Sequence, residues 1–199
     1  PGIWKTHMLP IIALLGRPNV GKSSLFNRLV RQNKSITHDQ PGVTRDRIYG
    51  EVHGELPSEI GGDTGGEHEA EDVRYALIDT GGMLPDATEL DGRGMDRSVF
   101  EQATEALGEA DAVLFVVDGR DGMTGLDLAV SEKIRSSGKP ILLVVNKVDG
   151  PEQEAKATAD FHSLGLEIAV VSAAHGYGLH TLRQRILELA RPDVQPARV

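Results

Sequence analysis

Six short apolar runs recur along the 199-residue chain, interleaved with five stretches of helical spacing. The runs fall at 10–15 (PIIALL), 47–53 (RIYGEVH), 73–79 (VRYALID), 111–118 (DAVLFVVD), 140–146 (PILLVVN) and 166–172 (LEIAVVS). Several are apolar at nearly every position, as in a strand buried on both faces of a parallel sheet. Helical patterns occupy 22–32, about 94–109, 124–137, 152–164 and 178–190. Alternation at this spacing predicts a doubly wound α/β domain with a six-stranded, mostly parallel sheet and about five helices. No helical pattern separates the second and third runs, so they are expected to pair as an antiparallel hairpin at one edge.

The hairpin connection is unusual. Residues 51–72 carry eight acidic side chains, five glycines and no Lys or Arg. Such a composition cannot bury apolar surface, so an acidic, flexible insertion is expected over 54–72. No D-x-D-x-D-G ladder is present to make it a cation site. Residues 1–7 precede Met8 and read as a cloning remnant, 8–190 as one domain, and 191–199, with two prolines, as the start of a linker. A net charge of −9 argues against a nucleic-acid grip by this chain alone. The absence of cysteine excludes disulfides and thiolate chemistry, in keeping with a cytoplasmic setting. No apolar run approaches a membrane span, so no membrane partner is expected.

Chemistry concentrates where strands give way to helices. GRPNVGKSS, 16–24, follows the first apolar run with the spacing G-x-x-x-x-G-K-S. At ordinary residue frequencies that pattern arises by chance in such a chain on the order of one time in a hundred. The amides of such a loop face inward, and the following helix adds its positive N-terminus, so phosphate is the expected ligand. Gly16, Arg17, Pro18, Asn19, Val20, Gly21, Lys22, Ser23 and Ser24 would line it, with Lys22 on the β and γ phosphates and Ser23 on Mg²⁺. DTGG, 79–82, ends the third run on the same sheet edge. There Asp79 can hold Mg²⁺ through its water shell and the Gly82 amide can meet a γ-phosphate oxygen, with Thr80, Gly81 and Met83 beside them. NKVD, 146–149, ends the fifth run. The Asp149 carboxylate suits the N1–H and exocyclic amine of guanine, a donor pair adenine lacks. Lys147 can lie over the base, Val148 sits between them, and Asn146 can tie this loop to the phosphate loop. In SAAHGYG, 172–178, Ser172, Ala173 and Ala174 are small enough for a backbone amide, expected at Ala173, to approach guanine O6. Thr44, in PGVTRDR, can reach Mg²⁺ and γ-phosphate from a loop that releases when that phosphate leaves. Segments 36–46 and 83–93 are expected to be mobile switch loops.

In this order, GRPNVGKSSLFNRL, PGVTRDR, DTGGM, NKVDG and SAAHGYG resemble the first GTPase domain of the EngA, or Der, family of bacterial ribosome-assembly GTPases. That family lies among the Era/TrmE-related, translation-factor-related GTPases. The resemblance covers Met8 to about Ala190 and implies a P-loop NTPase fold. It also implies hydrolysis of GTP to GDP and phosphate with slow intrinsic turnover, and action in assembly of the large ribosomal subunit. Members carry a second GTPase domain and a KH-like domain, so the resemblance implies partners that this chain lacks. Era and the MnmE GTPase domain share the phosphate-loop pattern, but HGYG and TRDR fit EngA better than Era. A small-molecule kinase would need an arginine-rich lid and would leave NKVD without purpose.

One departure leaves a further alternative open. Met83 stands where many GTPases carry a glutamine that orients the attacking water. A nucleotide-dependent binding module with negligible hydrolysis is therefore a competing reading. In GTPases resembling this one, K⁺ bridges the phosphates, and the resemblance implies that Asn19 is its ligand. Asn19, Lys22, Thr44 and Gly82 are thus the expected catalytic set. Arg45 or Arg47 is a candidate internal finger. His38, His175 and His180 are bases by type only, since phosphoryl transfer to water depends on positioning and charge.

Overall fold

The computed structural model describes residues 9–31, 48–57, 70–80 and 92–190. They form six strands, β1 (Ile11–Leu15), β2 (Ile48–Pro57), β3 (Ala70–Asp79), β4 (Ala112–Asp118), β5 (Ile141–Asn146) and β6 (Glu167–Val170). Five α-helices accompany them, α1 (Lys22–Arg31), α2 (Gly92–Glu109), α3 (Gly125–Ser136), α4 (Pro151–Thr158) and α5 (Leu179–Ala190). The sheet order is β2-β3-β1-β4-β5-β6. All neighbours are parallel except β2, which runs antiparallel to β3. The strand order reverses around β1, and the crevice beyond its carboxyl end is where doubly wound sheets bind ligands.

The period of two along each strand sorts side chains onto two cores. Ile12 and Leu14 of β1, Leu114 and Val116 of β4, and Leu142 and Val144 of β5 face α1 and α5. Ala13 and Leu15, Val113, Phe115 and Val117, and Leu143 and Val145 face α2, α3 and α4. Because both faces are covered, the central strands need apolar residues at every position. α1 contributes Leu25, Phe26, Leu29 and Val30, spaced three and four apart, to the first core. α3 starts on a capping box in which Thr124 and Asp127 satisfy each other's backbone amides.

The hairpin differs from the sequence expectation. The β2–β3 ladder continues to Pro57↔Ala70, so 54–57 and 70–72 are strand, not flexible insertion. The reason lies in its two unequal faces. Val52, Val73 and Tyr75 are buried against α1 and α5, while Glu55, Asp72 and Arg74 are exposed. Backbone pairing tolerates the acidic face. Gly54 is required by closeness: a Cβ there would sit 2.6 Å from Leu187 of α5. Residues 58–69 lie outside the described residues. The helix expected over 152–164 is α4 followed by a 3-10 turn, Ala159–Leu164, that ends on Gly165 at φ 59°. α2 begins at Gly92, inside the segment 83–93 expected as loop; the rest of that segment and 36–46 lie outside the described residues. Among the described residues no helix is long and apolar enough to cross a membrane.

Candidate nucleotide site

The chain leaves β1 through Gly16, whose φ of 150° and closeness to β4 exclude any side chain; a Cβ would fall 2.1 Å from the Val116 carbonyl oxygen. Asn19 holds φ 65°, a left-handed conformation uncommon outside glycine. Gly21, at φ 96°, brings the backbone so close to Asn146 that a Cβ would lie 2.3 Å from Nδ2. These three residues curl the loop around Lys22, the first residue of α1. Its Nζ donates to the carbonyl oxygens of Gly16 (2.9 Å) and Arg17 (2.8 Å). Burial pushes the Lys22 pKa down to about 8; Asp79 opposes that shift and Arg17 adds to it. Ser23 and Ser24 follow in the first turn of α1 and are exposed.

Asp79 ends β3 beside β1, in register with Leu14, and is 2% exposed. Thr80 differs from the expectation of a nucleotide ligand in its side chain: its hydroxyl donates to the Leu14 carbonyl (2.8 Å) and staples the loop to β1. Thr44, Gly81, Gly82, Met83, Arg45, Arg47 and His38 lie outside the described residues.

Asn146 joins the two ends of the site. It is 2% exposed at the end of β5, where its Nδ2 donates to the Val20 carbonyl (2.8 Å) and its Oδ1 accepts from the Ala173 amide (3.0 Å). One carboxamide thereby fixes the phosphate loop against SAAHGYG. The expectation for Ala173 changes accordingly: its amide is engaged by Asn146 rather than directed at guanine O6. Val148, read as lining the nucleotide, instead packs its side chain into the α3/α4-side core at 1% exposure. Lys147 adopts φ 70°, and its Nζ is tied to Asp118 Oδ2 at 2.6 Å. Ser172 donates from Oγ to Asp149 Oδ1 (2.8 Å), and Arg120 donates to Oδ2 (2.7 Å). These two bonds, Ser172 first, hold the Asp149 carboxyl below its ordinary pKa. His175 is exposed and stands 3.8 Å from Asp149 Oδ1; His180, on α5, is exposed as well.

The sequence reading missed the turn Asp118–Gly122. Asp118 is buried at the end of β4, and its Oδ1 accepts the Arg120 amide at 2.9 Å. Burial would raise its pKa, but Lys147 and the Arg120 amide outweigh burial and hold it low. Asp121 pairs with Arg17 of the phosphate loop at 2.7 Å. Arg28 of α1 also went unread; it donates to the carbonyls of Ala173 (3.0 Å) and Ala174 (2.6 Å), bracing that loop from below. A carboxylate closing a buried apolar run on the ligand edge of the sheet was the available signal for Asp118.

Among the described residues no cluster of three or more His, Asp or Glu side chains could hold a metal ion. A cation here would share hydroxyl, carboxylate and phosphate oxygens, as Mg²⁺ does beside a nucleotide.

The model of the family described as 50S ribosome-binding GTPase matches residues 11–147. GTPase Der of Maridesulfovibrio salexigens is 54% identical over 183 residues, covering 92% of this chain and 37% of that protein. GTPase Der of Solidesulfovibrio magneticus is 48% identical over 189 residues, covering 95% of this chain and 38% of that protein. The chain thus spans little more than a third of these relatives' length. A crystal structure of an Aquifex aeolicus Era variant bound to GDP·AlF4⁻ superposes with TM-score 0.62 at 27% identity, covering 96% of this chain and 60% of that one. The Methanococcus maripaludis elongation factor SelB, at 19% identity and TM-score 0.64 over 96% of this chain and 36% of that one, shares the fold.

Proposed function

The chain belongs to the family of 50S ribosome-binding GTPases, and we propose that it is a switch domain of Der type that hydrolyses GTP to GDP and phosphate slowly, with stimulation by potassium. The observation that supports this reading is the double anchorage of Asn146, which ties the phosphate loop holding Lys22 to the 172–178 loop, whose Ser172 in turn donates to the Asp149 carboxylate.

Asp149 supplies two acceptor oxygens to guanine N1–H and the exocyclic amine, with Ser172 keeping one of them oriented. Lys22 exchanges its two carbonyl partners for β- and γ-phosphate oxygens and neutralises charge that develops as water attacks the γ-phosphorus and the β–γ bridging bond breaks. The N-terminus of α1 and the loop amides receive the same charge. The Gly82 amide donates to the γ-phosphate, and Thr44 senses it. Ser23, exposed beside Lys22, and Asp79, close enough to bias Lys22 electrostatically, suit Mg²⁺, with Thr44 as a further ligand. Mg²⁺ there would screen the phosphate oxygens. Asn19, exposed and held in the left-handed region, offers a side-chain oxygen for K⁺, which would supply positive charge near the bridging oxygen.

By likeness to the Der relatives, the longer protein would add a second GTPase domain and a KH-like domain, act in the cytoplasm and assist assembly of the large ribosomal subunit. The test is hydrolysis at saturating Mg²⁺ and GTP in K⁺ against Na⁺, with GDP and ATP competition titrations alongside. Faster turnover in K⁺, lost in Asn19→Ala with GDP affinity kept, is expected. Asp149→Asn should weaken GDP and favour xanthine nucleotides. Equal rates in the two salts would remove the potassium mechanism, and comparable ATP affinity would remove the guanine reading.

A further inference from the structure

The turn that follows β4 belongs to none of the phosphate loop, NKVD or SAAHGYG, yet it contacts both the phosphate loop and NKVD. Its backbone is fixed. The Gly119 amide donates to the Asn146 carbonyl at 2.8 Å, and a Cβ at Gly119 would press on Val148 (2.8 Å) and Val145 (2.9 Å). Asp118 Oδ1 accepts the amides of Arg120 (2.9 Å) and Asp121 (3.4 Å). From this support adjacent side chains diverge: Asp121 to Arg17 of the phosphate loop, Arg120 to Asp149.

The Arg120 contact is specific. Its guanidinium donates to Asp149 Oδ2 at 2.7 Å, while Ser172 takes Oδ1 at 2.8 Å. Each carboxylate oxygen receives one donor from the protein, and a carboxylate has about four acceptor positions, so two remain for a base. The only other ionisable group paired with it among the described residues is His175, at 3.8 Å from Oδ1. We propose that Arg120 is a specificity-determining residue that locks the Asp149 carboxylate, ionised and with both oxygens turned toward the base, so that a purine offering two N–H donors is preferred over one offering fewer. The proposal rests on the guanine-nucleotide reading above.

A free carboxylate can turn and satisfy a single donor as well as a pair. A carboxylate pinned at both oxygens cannot, which is how a fixed acceptor pair rejects a ligand lacking a donor. GDP carries N1–H and the 2-amino group, IDP only N1–H, and ADP neither in that arrangement.

Affinities for GDP, IDP and ADP should be measured on the full chain and on Arg120→Gln and Arg120→Lys. Arg120 is 61% exposed in its side chain, so both variants should keep the parent's thermal melting. Arg120→Gln should weaken GDP by about fivefold, the upper end for an exposed ion pair, and IDP less, so that the GDP/IDP ratio narrows. Its GDP affinity should also begin to fall at a higher pH than the parent's on acidification, because Asp149 has lost a cation. Arg120→Lys should restore the pH profile but only part of the GDP/IDP ratio, since an ammonium is a point charge without a planar fork. Unchanged GDP affinity and GDP/IDP ratio in Arg120→Gln would overturn the proposal, as would tighter GDP binding, which would mean that Arg120 obstructs the base. If the parent itself fails to prefer GDP to ADP, the guanine reading fails instead.

Discussion

Lys22 has no carboxylate within the phosphate loop to pair with; its Nζ donates to two carbonyl oxygens, at 2.9 and 2.8 Å. Burial outweighs the favourable charge of Asp79, and the pKa drops to about 8. Phosphates arriving at the loop will raise it again. Nucleotide binding should therefore take up about half a proton at a pH of about 8, and close to none at a pH of about 7, where free Lys22 is already charged. Calorimetry in buffers of different ionisation enthalpy reads this directly; equal uptake at the two pH values would contradict it. The same burial bears on folding. Between about 8 and the unperturbed 10.5, the unfolded chain binds the extra proton, so this group's contribution makes the nucleotide-free fold more stable as pH rises. Asn146, by contrast, is tied into the structure on both sides: Nδ2 donates to one backbone carbonyl and Oδ1 accepts from one backbone amide. The sequence reading anticipated the tie to the phosphate loop from residue type and position. It did not anticipate that the other half of the carboxamide would claim Ala173, because a backbone amide carries no residue-type signal.

At the scale of elements, the strands were legible where burial is two-sided and misread where it is one-sided. β4 and β5 are apolar throughout because each packs on two layers of helices. The outer half of the hairpin is apolar on one face only, and Glu55 and Asp72 opposite each other resemble a loop when read as composition. The alternation of Val52 and Gly54 with His53 and Glu55 was the available strand signal. It was obscured because two inward positions, Gly50 and Gly54, have no side chain to count. Since the ladder closes at Pro57↔Ala70, on the side of the sheet away from the nucleotide loops, replacing 58–69 by a two-residue Asn-Gly turn should leave GDP affinity unchanged. Stability should move by no more than about 1 kcal/mol, because closure entropy varies slowly with loop length. Urea denaturation and a GDP titration check both; a tenfold loss of affinity would place the connection in the site. Gly54→Val is the contrasting case. Its side chain must displace Leu187, at an expected cost of about 1–3 kcal/mol.

For the whole molecule, charge decides what this chain can hold unaided. With a net charge of −9, it should show no measurable binding to ribosomal RNA fragments at near-physiological salt, whichever nucleotide is present. Electrophoretic mobility shift tests this, and a salt-dependent shift by the chain alone would place an RNA-binding face on it. Topology has a further bearing, on how the chain is made. β1 lies at the centre of the sheet, yet its partners are remote: Ile11 pairs with Ala76, and Ile12 with Ala112, 100 positions later by simple subtraction. During synthesis at roughly 5–20 residues per second, the first strand waits about 5–20 s for its second neighbour. The phosphate loop is translated well before the residues that fix its shape, because Gly16 packs against Val116 and Val20 is held by Asn146. The loop can therefore take its shape only after translation has passed Asn146, so the nucleotide proposed for this site would meet a nearly completed sheet.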